Sequence, residues 1–273
     1  MVYFKILNSN FNNFSFFIFH FSFWLRLVIL NFNNFYGLVI MVKIEAIAVD
    51  VDGTITDSRR RICKSALDVL REAEEREIPV IIATGNISHF SYAVSTLVGT
   101  SGGLVCENGG VIYQDGYNNN EVIVLGDFSK AQRAYDFLYD KFGEEIPFKI
   151  VEDADARVSE IAFYKNMDSE PLKELLKDFD VKVYDSGFAL HLTDPDVDKG
   201  NGLRELAKLL DYNIENIMCI GDSENDIEFL SAGGFKVAVG NACDELKEIA
   251  DYVCEKNYGD GVKEAIEKFV FND

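Results

Sequence analysis

From Lys43 onward the chain switches regularly between two hydrophobic periods. Ala46-Ile-Ala-Val49, Val80-Ile-Ile-Ala83 and Gly103-Leu-Val-Cys106 are short unbroken apolar runs, the pattern of strands buried on both faces. Between them Ala66, Val69, Leu70 and Ala73 fall at helical spacing, which predicts a helix over 63–77; another is expected from about Ile87 to Val98. The C-terminal part repeats the scheme, with a helix over 200–211, a strand over 217–220, a short helix near 225–231 and a strand over 235–239. A helix over 244–250, a strand over 252–254 and a helix over 260–270 follow. Such alternation predicts parallel strands joined by right-handed crossovers, with ligands at the carboxyl ends of the strands.

The middle third follows another order. After the turn-rich Asp115-Gly-Tyr-Asn-Asn-Asn120 come a helix over 129–142 and strands near 148–152 and 157–164. A helix over 169–179 and strands near 181–184 and 188–192 complete the unit. Helix-strand-strand twice over predicts a small α+β unit on an antiparallel sheet, entered near Val122 and left near Asp194-Pro195. The expected fold class is α/β: a parallel-sheet, Rossmann-like core in two parts, 41–121 and 194–273, with a small α+β cap, 122–193, inserted as a lid.

Residues 1–40 differ from the remainder, with ten Phe, seven Asn, no acidic residue and no alanine. Twelve of the fifteen residues from Phe16 to Leu30 are apolar, short of the roughly 20 needed to span a bilayer and interrupted by His20, Ser22 and Arg26. A cleaved signal peptide wants a small-residue site, and none stands here. Three readings follow: a start placed upstream of a true initiator at Met41, a hydrophobic anchor, or a folded extension. Only Lys5 and Arg26 are charged in this leader, so it is expected to carry no chemistry.

Charge narrows the partners. Against 46 Asp+Glu stand 26 Lys+Arg, a net −20, whereas nucleic acid and anionic lipid both require a basic face. No nucleic-acid partner is expected, nor a membrane, and oligomeric state is left open. Three histidines (His20, His89, His191) are too few for an imidazole-built zinc site. Cys63, Cys106, Cys219, Cys243 and Cys254 never fall in C-x-x-C spacing and read as small hydrophobes in a reducing cytoplasm.

Polar residues collect at the predicted strand ends. The first strand runs into Asp50-Val51-Asp52-Gly53-Thr54, and side chains two apart on an extended segment point the same way. The second ends in Thr84-Gly85-Asn86, offering a hydroxyl and free backbone N–H groups at a helix start, a natural anion site. Lys199 opens the helix after the insertion, and Gly221-Asp222-Ser223-Glu224-Asn225-Asp226 closes a later strand. Carboxylates so crowded repel by roughly 4 kcal/mol per pair at 4 Å and an effective dielectric of 20. A divalent ion resolves this, and all-oxygen ligands suit Mg²⁺ with positions left for substrate phosphate. Lys199 and Thr84 would hold phosphoryl oxygens, one carboxylate would attack to give an aspartyl-phosphate, and Asp52 would serve as acid and base.

The ordered set of D-x-D-G-T after a buried strand, an apolar strand ending in Thr84-Gly85, Asp198-Lys199-Gly200 and G-D-x-x-N-D resembles the haloacid dehalogenase superfamily of phosphatases, over essentially all of 43–273. The insertion resembles that family's C2-type cap. Thr84-Gly85-Asn86, Glu107-Asn108-Gly109-Gly110, Phe188-Ala-Leu-His-Leu192 and Val197-Asp-Lys-Gly200 look most like archaeal phosphoglycolate phosphatases. Many members of the wider cap class carry Arg where Asn86 stands, so sugar-phosphate specificity does not follow. The resemblance implies Asp50 as nucleophile and metal ligand, Asp52 as acid/base with its backbone carbonyl on Mg²⁺, Lys199 on the substrate phosphate, and Asp222 and Asp226 in metal binding.

Individually these residues have plainer readings. Thr84 is a possible helix N-cap, Asn108 a turn residue, Glu224 a solvated first-turn acid, and Ser223 a neighbour of the metal shell. Arg157 and His191 are candidates for a substrate carboxylate, set against a surface charge and a locally satisfied strand histidine. Glu144, Glu145, Glu152, Asp153 and Asp155 read as a solvated face. The expected function is Mg²⁺-dependent hydrolysis of a small phosphorylated metabolite, 2-phosphoglycolate first, by a cytoplasmic enzyme. A sugar-phosphate phosphatase or phosphomutase is the alternative. A non-catalytic aspartyl-phosphate receiver, more remote, is opposed by Asp52, the insertion and the Gly221–Asp226 run.

Overall fold

A computed structural model describes residues 2–6, 15–21, 25–32, 35–114, 122–143, 147, 149–165, 168–186 and 189–271. The leader contributes β1 (Val2–Ile6), β2 (Ser15–Phe21), β3 (Leu25–Phe32) and β4 (Phe35–Lys43), an antiparallel sheet in the order β1-β4-β3-β2. Among the described residues these strands pair only with one another, and no helix is long and apolar enough to cross a membrane.

The core sheet has eight strands: β5 (Ala46–Val49), β6 (Val80–Ala83), β7 (Leu104–Cys106), β8 (Val111–Tyr113), β9 (Val122–Val124), β13 (Ile217–Gly221), β14 (Phe235–Ala238) and β15 (Tyr252–Val253). Their order is β15-β14-β13-β5-β6-β7-β8-β9, parallel from β15 to β7 and antiparallel beyond. Each apolar run is shared between two layers, as a period of two requires. Ile47, Val49, Val80, Ile82, Met218 and Ile220 pack under α1 (Lys64–Glu75), α2 (Ser88–Val98) and α8 (Tyr258–Ile266). Ala46, Ala48, Ile81, Ala83, Ile217 and Cys219 face α5 (Lys199–Leu209), α6 (Ile227–Ala232) and α7 (Asp244–Ile249).

The inserted unit has α3 (Phe128–Phe142) and α4 (Glu170–Leu175) over an antiparallel sheet, β10 (Glu160–Tyr164), β12 (Ala189–Thr193) and β11 (Lys182–Asp185), in the order β10-β12-β11. Its separate core holds Ala131, Leu138, Phe163, Leu172 and Leu190.

Three expectations need correction. Of the strand expected near 148–152, the described residues 149–152 form none: Ile150 makes a single bridge to Phe163. The chain then turns through Ala154–Ala156, which sets Asp153 and Arg157 one turn apart, 3.2 Å between Oδ2 and Nη2. The helix expected over 169–179 stops at Leu175, ahead of Asp178 and Asp180, whose side chains favour turns over helix. Val122–Val124, expected inside the cap, pairs with β8 as the edge of the core sheet. The segment 115–120, Glu144, Glu145 and Phe188 lie outside the described residues.

Among the described residues, a chain begun at Met41 gives up no strand pairing to the core sheet. Its melting midpoint by calorimetry is expected within about 3 °C of the full chain's, the shift that 1 kcal/mol makes at this size. A larger fall would mean that the leader packs on the core.

Candidate active site

The parallel strands bring their carboxyl ends to one edge. Asp50 follows β5, and its N–H donates to Ile220 O of β13 at 3.0 Å. The backbone then makes a wide turn through Val51–Ile55, in which Gly53 has φ +89°. A Cβ there would run into the Asp222 carboxylate, so only glycine passes without displacing it. Thr54 Oγ1 donates to Asp222 Oδ1 at 2.9 Å, and Asn241 Nδ2 donates to Gly53 O at 2.9 Å.

Asp50, Asp222 and Asp226 each offer a carboxylate oxygen within 4.8 Å of the others. Lys199, from the first turn of α5, reaches between two of them: its Nζ lies 2.7 Å from both Asp50 Oδ1 and Asp226 Oδ1. Asp226 Oδ2 is held by the N–H groups of Asp222 (3.0 Å) and Ser223 (3.1 Å). One ammonium against three carboxylates leaves the cluster short of positive charge. Burial, joined by repulsion from Asp226, pushes Asp222 up to about 7. Burial also raises Asp50 well above the usual range, against the pull of Lys199. For Lys199 burial acts downward, and Asp226 and Asp50 outweigh it to hold the ammonium charged. Asp50 Oδ2 is buried with no hydrogen-bond partner among the described residues. An oxygen-only trio with excess negative charge fits a divalent cation.

Asp50, Asp52, Thr84 and Gly85 line one cavity of about 500 Å³, together with Arg157 and His191 from the inserted unit. Asp52 is not part of the trio. Its carboxylate turns to Asn86 Nδ2 (2.6 Å) and to the Arg60 guanidinium (Nε–Oδ1 2.7 Å). Thr84 is not a helix cap, since α2 begins at Ser88 with Ile87 before it. Its Oγ1 accepts from the N–H (3.1 Å) and Nδ2 (2.8 Å) of Asn86. Ser223 lines the cavity and Glu224 is exposed.

Arg157 is no surface charge. Its side chain is 5% exposed, with Nη1 on Glu160 Oε1 and on Gly85 O at 3.0 Å, and Nη2 on Asp153. Asp153 and Glu152 line the cavity rather than a distant solvated face. His191 is satisfied locally, Nδ1 at 2.9 Å from Glu160 Oε1 and Nε2 at 3.1 Å from Ser186 Oγ. Burial would raise Glu160, but His191 and Arg157 outweigh it and its pKa is lowered. Asn108 is more than a turn residue: it donates to Glu160 Oε2 (2.9 Å) and accepts from Asn225 Nδ2 (3.0 Å), joining cap to core. Beside it Glu107, fully buried, accepts from the N–H groups of Val158 and Ser159 and from Ser159 Oγ. Sequence reading missed Arg60 and Glu160, and quoted Glu107 within a matching run without giving it a role. A Glu at a positive φ (+48°) leaves no trace in a pattern, and Arg60 hides in a run of three arginines.

The chain matches the family described as haloacid dehalogenase-like hydrolase over residues 47–173 and 117–266. It is 50% identical over 233 residues to the phosphoglycolate phosphatase of Methanobrevibacter smithii, covering 84% of this chain and all of that protein. The phosphoglycolate phosphatase of Methanothermobacter thermautotrophicus is 51% identical over 226 residues, covering 83% and 99%. Among solved structures, Thermoplasma acidophilum 0175 superposes with a TM-score of 0.74 at 24% identity, covering 83% of this chain and 98% of that one. A haloacid dehalogenase-like hydrolase from B. subtilis gives 0.68 at 22%, covering 83% and 100%.

The raised pKa of Asp222 makes a signed prediction. Its usual value is 3.8 and its folded value about 7, so the folded chain binds the proton more tightly. That contribution is fully present below about pH 4 and is lost as pH rises through about 7. Relative to Asp222→Asn, the melting midpoint of chelator-treated protein should fall across this window. Added divalent cation should recover more at pH 8 than at pH 5; a flat difference would remove the trio as the source.

Proposed function

The chain belongs to the haloacid dehalogenase-like hydrolase family, and on that premise we propose that it hydrolyses 2-phosphoglycolate to glycolate and phosphate, with Mg²⁺ held by Asp50, Asp222 and Asp226. The observation that carries the reading is Asp50 Oδ2, a buried carboxylate oxygen with no hydrogen-bond partner among the described residues, on a residue of the cavity wall. Support for the substrate comes from the relatives named phosphoglycolate phosphatase, whose whole length this chain matches.

In this reading Oδ2 of Asp50 attacks phosphorus, the bond to the ester oxygen breaks, and Asp52 gives its proton to that oxygen, releasing glycolate. Water then attacks the aspartyl-phosphate while Asp52 takes its proton, and phosphate leaves with Asp50 restored. Lys199 holds Oδ1, so the attacking oxygen is the one left unbound. Thr84 and the backbone N–H groups that follow it receive phosphoryl oxygens. The bound Mg²⁺ supplies charge neutralisation for the phosphoryl group. The backbone carbonyl of Asp52 would be a further ligand. All five cysteines are free thiols, in keeping with a cytoplasmic enzyme.

The test is phosphate release from 2-phosphoglycolate, several sugar phosphates, phosphoserine and a nucleotide, with and without Mg²⁺. Turnover should peak on 2-phosphoglycolate, depend on the metal, and fall at least about 10³-fold in Asp50→Asn, the scale of losing a group that acts only in the transition state. A peak on another ester would replace the substrate. Activity that survives in Asp50→Asn would overturn the nucleophile.

A further inference from the structure

We propose that Arg60 receives the carboxylate of the substrate and thereby sets a preference for phosphate esters of 2-hydroxy acids. The proposal rests on the reading above, in which Asp52 stands at the ester oxygen. In such an ester one carbon joins that oxygen to the carboxylate, so the carboxylate must lie beside whatever else touches Asp52. Two side chains do. Asn86 gives Nδ2 to Asp52 Oδ2 at 2.6 Å. Arg60 forks over the same carboxylate, Nε to Oδ1 at 2.7 Å and Nη2 to Oδ2 at 3.3 Å, with Nη2 also on Asn86 Oδ1 at 3.1 Å. Of the pair only Arg60 is a cation, and a planar fork suits a carboxylate.

The loop is built to present it. Thr56 and Ile62 are bridged, and Asp57 Oδ1 accepts from the N–H groups of Arg59 (2.9 Å) and Arg61 (3.1 Å). Arg61 folds back on Asp57 Oδ2, Nε at 2.9 Å. Arg60, at the tip, takes a left-handed φ of +58°, a conformation that costs an L-residue about 1–2 kcal/mol and is kept where surrounding bonds over-determine it.

The second arginine of the cavity is placed differently. Arg157 is closed in by Glu160, Asp153 and Gly85 O, and turning it away would take its guanidinium from the buried Glu160 carboxylate. Arg60 is 47% exposed and Asp52 17%. It can shift its fork from Asp52 to an incoming carboxylate without leaving a buried charge unpaired. Lys199 is spent on Asp50 and Asp226. In a site this acidic a trianionic substrate needs a further cation beside its carboxylate, and Arg60 is in place.

The experiment compares kcat/KM on 2-phosphoglycolate and on ethyl phosphate, the same skeleton with methyl for carboxylate, in wild type, Arg60→Gln and Arg60→Lys. The wild type should prefer 2-phosphoglycolate. Arg60→Gln should collapse that preference by about 10- to 100-fold, the range of one charged hydrogen-bonded contact, chiefly through KM. Arg60→Lys should restore part of it. Glycolate as product inhibitor offers a readout without turnover, and its Ki should rise in Arg60→Gln. A preference unchanged in Arg60→Gln, or equal losses on both esters, would overturn the role while leaving the substrate standing. A wild type without preference would overturn the substrate reading itself and the Arg60 role with it.

Discussion

One buried ammonium among three carboxylates governs the arrangement of this molecule. Each close pair of like charges costs roughly 4 kcal/mol at an effective dielectric of 20, and the carboxyl edge of the sheet gathers Asp50, Asp222 and Asp226 within 4.8 Å. Lys199 makes that tolerable by bridging Asp50 and Asp226. Its position follows from α5: Asp198 caps the helix by accepting from Asn201 N–H, and Leu203 and Leu206 pin it under the sheet. Gly109, at φ +99°, allows the loop after β7 to pass against the backbone of Asp198, where a Cβ would collide. The packing of apolar residues and the balance of charge are therefore settled by the same helix.

Much of this was legible in the residues. Asp50, Asp52, Thr84, Asp222 and Asp226 stand where short apolar runs end, and parallel strands bring such ends together whatever lies between them; Lys199 opens the helix after the insertion. The unbroken apolar runs of β5 and β6 foretold layers on both faces, as found. Three-residue strands such as β8 and β9 carry too short a pattern to read. The same holds for 150–157, where an i,i+4 pairing of Asp153 with Arg157 draws the chain into a turn despite its apolar residues.

Roles that depend on which way a side chain turns were the hidden ones. Arg157 looks like any charge on a polar segment, yet Glu160, three residues on, buries it. Glu160 in turn sits at the start of β10, where an acid would pass for a solvated edge residue; it is enclosed because Arg157, His191 and Asn108 converge on it. Arg157 and His191 were singled out for a substrate carboxylate and Asn108 for a turn, but nothing in their spacing pointed to Glu160 as their common partner.

The seam between core and cap has a consequence for how this architecture diverges. Glu107 and Asn108 belong to the core loop after β7, yet their partners Val158, Ser159 and Glu160 belong to the insertion. Asn108 also takes a bond from Asn225, beside the carboxylate trio. A cap transplanted onto another core without those two residues would arrive with its Glu160 short of a donor, and the core it came from would keep a buried Glu107 stripped of Val158 and Ser159. The cap of this chain thus depends on a dipeptide outside its own boundaries, and a graft that ignores it would cost stability before any question of substrate arose.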